Sequence, residues 1–248
     1  MKSKEILQDV SKRPWLLPEG HWIWYQEWND VLFLNWLIPI NTIQPLVPSS
    51  LEIDTFSGNA WISLVAFTLE KIHPFGFPII PTISDFHEIN LRTYVKYDGK
   101  PGVYFLNIGA EKWFSAFLAK TLSWLPYEKT TISKNNKINP RTIISENKIK
   151  RNRSIIQYRT GNTTKEKTAL DCWLTERYCL YLDRHEKIYR YDIHHKEWKL
   201  NEVELVDIDL EYNIGDISFN QQIPDSVQYS HGVNVLAWPR KLVKNQRL

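Results

Sequence analysis

The chain has 248 residues, 43% hydrophobic and 24% charged, with a formal net charge of +3, which is ordinary for a globular protein of one large all-β or mixed domain or two small ones and argues against a flexible linker protein. Its nine glycines form no GxGxxG and no GxxxxGK[ST], which argues against dinucleotide and P-loop phosphate binding, and no run of about 18 apolar residues could span a bilayer as a helix. The 11 Trp, 12 Tyr and 10 Phe suit strands and a wide interior that flat rings can fill.

Residues 1–12 read as a polar arm, loose or helical, ahead of a single domain over 13–248. Met1-Lys2-Ser3-Lys4-Glu5 lacks the apolar run of a secretory signal, so a cytoplasmic location is expected. Trp15, Trp22, Trp24 and Trp28, with Ile23 and Tyr25 between them, predict an extended strand ending near Asn29-Asp30. The apolar stretch 31–40 is broken by Pro39, and 41–47 predicts a short helix capped by Asn41 and closed by Pro48. Residues 51–54, a Ser57-Gly58-Asn59 turn and 60–67 predict a hairpin. From His73 to Asp85 three prolines and a glycine interrupt Phe75, Phe77, Ile79 and Ile80, an oily irregular loop that either lies on the surface or forms a lid.

The most informative stretch is Glu88-Ile89-Asn90-Leu91-Arg92-Thr93-Tyr94-Val95, which alternates with period two and reads as a strand. One face is largely apolar; the other sets Glu88, Asn90, Arg92 and Tyr94 in a line, about 7 Å apart at each step. A turn at 97–102 leads to a partner strand over 103–108. Phe114, Phe117, Leu118, Thr121, Leu122 and Leu125 recur at helical spacing, so the main helix is predicted at about 111–125, stopped by Pro126. Strands are predicted over 130–133, 142–145, 154–159, 169–181, 188–193, 203–210 and 233–238. The expected fold is mainly β (α+β): a curved antiparallel sheet or barrel with one main helix.

Charge is unevenly spread. Residues 129–168 hold eleven Lys/Arg and two Glu, whereas 200–239 hold seven Asp/Glu and no Lys or Arg. With few aromatics to stack bases in the basic stretch, the two regions read as strands facing solvent or each other, and no nucleic-acid partner is implied. Cys172 and Cys179, seven apart on what reads as one strand, would face opposite sides and stay reduced.

If the polar face of 88–94 lines a cavity, Arg92 can clamp a carboxylate and Glu88 can act as acid or base. The alternative is a solvent-facing strand or a structural Glu–Arg pair. Glu176 and Arg177, inside the oily segment 173–178, either enter the same cavity or tie strands together. His194 and His195, near Asp192 and Glu197, match no zinc spacing, so no metal is expected. No GxSxG elbow supports hydrolase chemistry.

Four segments carry a family resemblance: Leu51–Trp61, Glu88–Phe105, Trp173-Leu174-Thr175-Glu176-Arg177-Tyr178 and Tyr229–Pro239. Through them the chain, over roughly 13–240, resembles the YqjF-like family of uncharacterised bacterial proteins, which is similar to the acetoacetate decarboxylase superfamily. That resemblance implies a curved antiparallel sheet closing around a small-molecule cavity. The superfamily's decarboxylases use a Schiff-base lysine beside a second lysine, after a Phe-Pro at the end of a helix. The matching place here reads Leu125-Pro126-Tyr127-Glu128-Lys129: Tyr127 stands where the imine-forming lysine would be, Glu128 replaces its partner, and Lys129 falls two residues late. The superfamily's pocket glutamate is matched by Glu88.

The sequence therefore leads to a cavity that binds a small acidic or carbonyl-bearing organic molecule without a Schiff-base lysine. Glu88 is the catalytic or anchoring acid. Arg92, Asn90, Tyr94, Tyr104, Tyr127, Glu176 and Arg177 are the ligand-binding candidates. Two other readings stand beside it: a lyase- or isomerase-like keto-acid enzyme working through proton transfer by Glu88, and a structural protein whose polar groups pair internally. No cofactor and no membrane partner is implied, and self-association is left open.

Overall fold

The computed structural model describes residues 2–79, 84–112, 124–215, 217–218 and 220–245. In chain order the elements are α1 (Lys2–Gln8), β1 (Trp24–Ile38), α2 (Ile40–Ile43) with a 3-10 turn over Gln44–Leu46, β2 (Glu52–Ile53), β3 (Ala60–Pro74), β4 (Phe86–Tyr97) and β5 (Lys100–Ala110). There follow β6 (Tyr127–Lys129), β7 (Thr131–Asn135), β8 (Arg141–Asn147), β9 (Asn152–Thr164), α3 (Ala169–Thr175), β10 (Cys179–Arg184), β11 (Lys187–His195) and β12 (Asn201–Glu211). The chain ends with β13 (Asn213–Ile214), β14 (Ile217–Ser218), β15 (Ser226–Ala237) and β16 (Lys241–Asn245).

Among the described residues, fourteen strands join in one sheet, and β13 and β14 form a separate pair. The sheet is mixed rather than purely antiparallel, because β5 pairs in parallel with both β10 and β6. Since β11 also pairs with β15, the run β11-β10-β5-β4-β3-β1-β15 returns on itself. Strands β12, β9, β8 and β7 continue from β15 as a wing that folds across the outside of β1, β3 and β4, while β16, β2 and β6 pair with β11, β4 and β5. Burial follows from the pleat: Leu32, Leu34, Leu64, Ala66, Ile89 and Leu91 point outward and bury against Ile132, Ile143, Ile156 and Tyr158 of the wing. The opposite sides of the same strands point into the closed circuit.

One irregularity decides what β1 presents inward. Its register against β3 shifts between Asn29 and Leu32, and Asp30 takes a positive φ of 49°. The extra residue reverses the alternation. Trp24, Gln26 and Trp28 face inward before it, Val31 and Phe33 after it. Opposite the bulge, Gly232 has φ 137°, and a Cβ there would sit 2.1 Å from the Trp28 carbonyl oxygen, so only glycine allows β15 to approach. The Asp30 carboxylate swings out to accept from Arg141, Tyr229 and Asn136, tying the wing to the bulge.

Several sequence expectations are corrected. The strand at the first tryptophans does not end at Asp30; it continues through the bulge to Ile38. The short helix starts after Pro39 rather than at Asn41, with no side-chain cap. Segment 51–54 pairs with β4, not with β3, so it makes no hairpin with 60–67. Segment 169–181 is not one strand: Thr168 and Asp171 form a reciprocal capping box that starts α3, and a strand resumes only at Cys179. Cys172 is therefore helical; both thiols are free. Of the helix expected at 111–125, residues 113–123 lie outside the described residues. Trp124 and Leu125 are not helical, since Trp124 has φ 63° and Leu125 precedes a proline. Of the 73–85 loop, Pro74 closes β3, Phe75 packs on His21 and Trp22, and 80–83 lie outside the described residues. The two charge-rich regions face each other across β9 and β12, through Arg153–Asp209 and Arg159–Glu204.

Candidate functional site

Inside the closed circuit lies a cavity of about 650 Å³, within the range of small-molecule sites. Glu88, Asn90 and Arg92 line it from β4 and Tyr127 from β6, beside β5. Phe33, Val65, Phe67, Trp28, Trp198 and Val235 form part of an apolar wall. Among the described lining residues none is a lysine.

Glu88 is 4% exposed. Its Oε1 accepts from Asn90 Nδ2 at 3.0 Å and its Oε2 from the Tyr127 hydroxyl at 3.0 Å. Burial raises its pKa from the ordinary carboxylate range to about 7, and the two donated hydrogen bonds restrain the rise. The Tyr127 phenol is pushed well above its ordinary value by burial and by the neighbouring carboxylate, so it serves as a donor. Asn90 Oδ1 is left without a partner.

Arg92 is 8% exposed. Its Nη2 donates to the Leu174 carbonyl at 3.3 Å, while Nε has no acceptor. Its guanidinium carbon lies 5.4 Å from the Phe33 ring centre and 5.7 Å from that of Tyr94. Among the described residues no carboxylate is within ion-pair distance of it. Buried charges in folded proteins are normally paired, and among the described residues this one is matched by a carbonyl dipole and ring faces.

The other sequence candidates go elsewhere. Tyr94 is fully buried between Ser63, Trp173 and Leu174, and its hydroxyl is 2.7 Å from Ser63 Oγ and 3.2 Å from the Leu174 oxygen. It does not line the cavity, because α3 packs over this end of β4. Tyr104 donates to Asp183 at 2.5 Å and lines a separate cavity of about 250 Å³. Arg177 donates to Asp54 Oδ2 at 2.6 Å and stacks on Trp173 and Tyr94, a structural pair. Glu176 is held by Lys167, the Tyr178 hydroxyl and the Trp198 backbone N–H. Neither residue reaches the main cavity. His194 contacts the Ile6 carbonyl, and His195 stacks on Tyr178.

The segment matched to the lysine site turns its three residues in different directions. Tyr127 points into the cavity; Glu128 points the other way, accepting from Asn147 and facing Lys150. Lys129 is exposed and does not line the cavity. Sequence reading missed Trp28, Phe33 and Trp198 as cavity walls. For β1 the signal was the alternating Trp24 and Trp28; for Trp198, in the loop after β11, there was none.

The likeness to solved structures gives this chain the acetoacetate decarboxylase-like fold. The structure is similar to acetoacetate decarboxylase from Legionella pneumophila subsp. pneumophila str. Philadelphia 1, with a TM-score of 0.61, 13% identity, and 97% of this chain and 95% of that chain covered. It is also similar to the enduracididine biosynthesis enzyme MppR complexed with pyruvate, with a TM-score of 0.58, 11% identity, and 95% of each chain covered. At those identities the likeness is one of fold. By sequence, the chain belongs to the DUF2071 family of uncharacterized conserved proteins, whose model matches residues 25–234. It is 37% identical over 229 residues to the uncharacterized protein YqjF of Bacillus subtilis (strain 168), covering 90% of this chain and 93% of that protein.

Proposed function

We propose that the protein binds a small organic acid or carbonyl compound in the 650 Å³ cavity, with Arg92 as the anion contact and Glu88 as a proton-exchanging group, and without a lysine imine. The observation that carries this reading is Arg92: a buried guanidinium on a cavity wall with no carboxylate partner among the described residues. A ligand carboxylate or enolate completes it, and the low-polarity wall strengthens that contact. Asn90 and Tyr127 hold Glu88 in position.

A second reading, turnover of a keto or enol substrate, draws on the Glu88 pKa of about 7. A carboxyl group poised there both gives and takes a proton near neutral pH. In that reading Glu88 moves a proton on or off the carbon next to the substrate carbonyl, while Arg92 fixes the acid group. The pyruvate complex of the enduracididine enzyme belongs to that protein and supports this only by analogy of fold.

Calorimetric titration with a panel of 2- and 3-keto acids and their uncharged esters tests the binding. The acids are expected to bind more tightly than the esters, and Arg92→Met to erase that difference. No binding of any acid at millimolar concentration would leave the structural reading, with polar groups serving the fold alone. Deuterium exchange into bound keto acids separates binding from turnover: Glu88→Gln is expected to stop exchange and keep affinity.

A further inference from the structure

The apolar part of the cavity is arranged, and its arrangement begins at Arg92. The guanidinium carbon of Arg92 lies 5.4 Å from the centre of the Phe33 ring. Phe33 meets Trp198 edge to face at 5.4 Å, Trp198 lies 6.2 Å from Trp28 at an interplanar angle of 33°, and Trp28 lies 5.5 Å from Phe67. The result is a continuous aromatic strip running from Arg92, which has no carboxylate partner among the described residues, built from β1, β3 and the loop after β11, and all four rings line the cavity. The other lining guanidinium, Arg240, is laid on Trp124 at 3.4 Å and donates to Tyr191. The cavity volume is about 650 Å³. A three- or four-carbon keto acid would fill a minor part of it and leave the strip bare.

We infer that the ligand is an aryl-substituted monocarboxylic acid, its carboxylate on Arg92 and its ring along the strip formed by Phe33, Trp198 and Trp28. This rests on the proposed function and adds the body of the ligand to its head group. Aromatic walls favour offset or edge-on contact with an aromatic ring, and the Arg92 guanidinium, without a carboxylate partner among the described residues, favours a negative charge at one end. The carboxylate sets orientation, and burial of the ring supplies the larger share of affinity.

The test uses the intact protein and four probes: propionate, 3-phenylpropionate, cyclohexylpropionate and 3-phenylpropan-1-ol, titrated by calorimetry with tryptophan fluorescence as a second readout. 3-Phenylpropionate is expected to bind about 100-fold more tightly than propionate, a phenyl ring being worth that much when fully buried. The alcohol is expected to bind at least 10-fold more weakly than the phenyl acid. Trp198→Ala is expected to remove most of the phenyl preference and leave the acid-over-alcohol preference in place. Arg92→Met is expected to do the reverse. Equal affinity for propionate and 3-phenylpropionate, with Arg92-dependent binding, would overturn the aryl assignment and leave the anion site standing. Binding of the phenyl acid and the alcohol alike, unaffected by Arg92→Met, would overturn both. Cyclohexylpropionate matching 3-phenylpropionate would replace an aryl ligand by any bulky apolar acid and so also count against the inference.

Discussion

The phenol of Tyr127 donates to Glu88 Oε2 at 3.0 Å, joining β6 to β4 across the cavity wall. A tyrosine at this place does what a lysine there would not: it holds the carboxyl group with a neutral donor. It therefore leaves the acid's high pKa to burial instead of cancelling it with a positive charge.

The stability of the protein should depend on Glu88 with an unusual sign. Its folded pKa of about 7 lies above its ordinary value, so between about pH 4.5 and 7 the folded state keeps a proton that the unfolded chain releases. Stability from this group is full below about pH 4.5 and falls as pH rises toward 7, by on the order of 3 kcal/mol in total. Urea denaturation from pH 4.5 to 8.5 should show that fall in the wild type and lose it in Glu88→Gln, with the variant the more stable at pH 8. Tyr127→Phe removes a donor to the ionised form, so the falling limb should extend to higher pH. An unchanged profile in both variants would count against a perturbed Glu88.

Arg92 and Arg177 should separate cleanly by experiment. Arg177 is paired with Asp54 and stacked on Trp173, away from the cavity. Arg177→Met should cost about 3 kcal/mol of stability, because it strips a buried acid of its main partner, and should leave ligand affinity within about threefold. Arg92→Met removes a charge with no acid partner among the described residues, so it should cost far less stability, or even gain some, while abolishing the preference for anions. Thermal melts and calorimetry on the two variants check this.

Gly232→Ala should be among the more damaging single substitutions outside the core. Its methyl group would land 2.1 Å from the Trp28 carbonyl, at a φ of 137° that side chains rarely adopt. A loss of about 3 kcal/mol is expected. Trp28 forms part of the aromatic strip, so tryptophan emission should shift as well.

Asp30 anchors the wing by accepting from Tyr229, Asn136 and Arg141 at 2.7, 2.7 and 3.2 Å. The group is partly exposed, so Asp30→Ala should cost only about 1–2 kcal/mol. Asp30→Asn should cost less, because asparagine tolerates the positive φ and keeps part of the hydrogen bonding. Urea denaturation of both variants measures the difference.

How much of this was legible in the sequence depends on what kind of signal each residue carried. The inward placement of Glu88, Asn90 and Arg92 is a period-two fact, readable from eight residues. Tyr94 obeys the same period yet leaves the cavity, because Leu174 at the end of α3 accepts from both it and Arg92. The apolar content of that helix reads as strand, although Thr168 and Asp171 spell its capping box. The bulge at Asp30 left little trace beyond an Asn-Asp pair between two apolar runs, so the inward turn of Phe33 could not be foreseen. The paths of Glu176 and Arg177 depend on Lys167 and Asp54, partners far apart in the chain from one another. Sequence spacing cannot show such partners.

The most direct test of the central claim is the structure of a crystal soaked with 3-phenylpropionate at saturating concentration. The account predicts its carboxylate within about 3 Å of the Arg92 guanidinium, with the phenyl ring against Trp198. An empty cavity at saturation, or the ligand seated with Arg92 untouched, would contradict it.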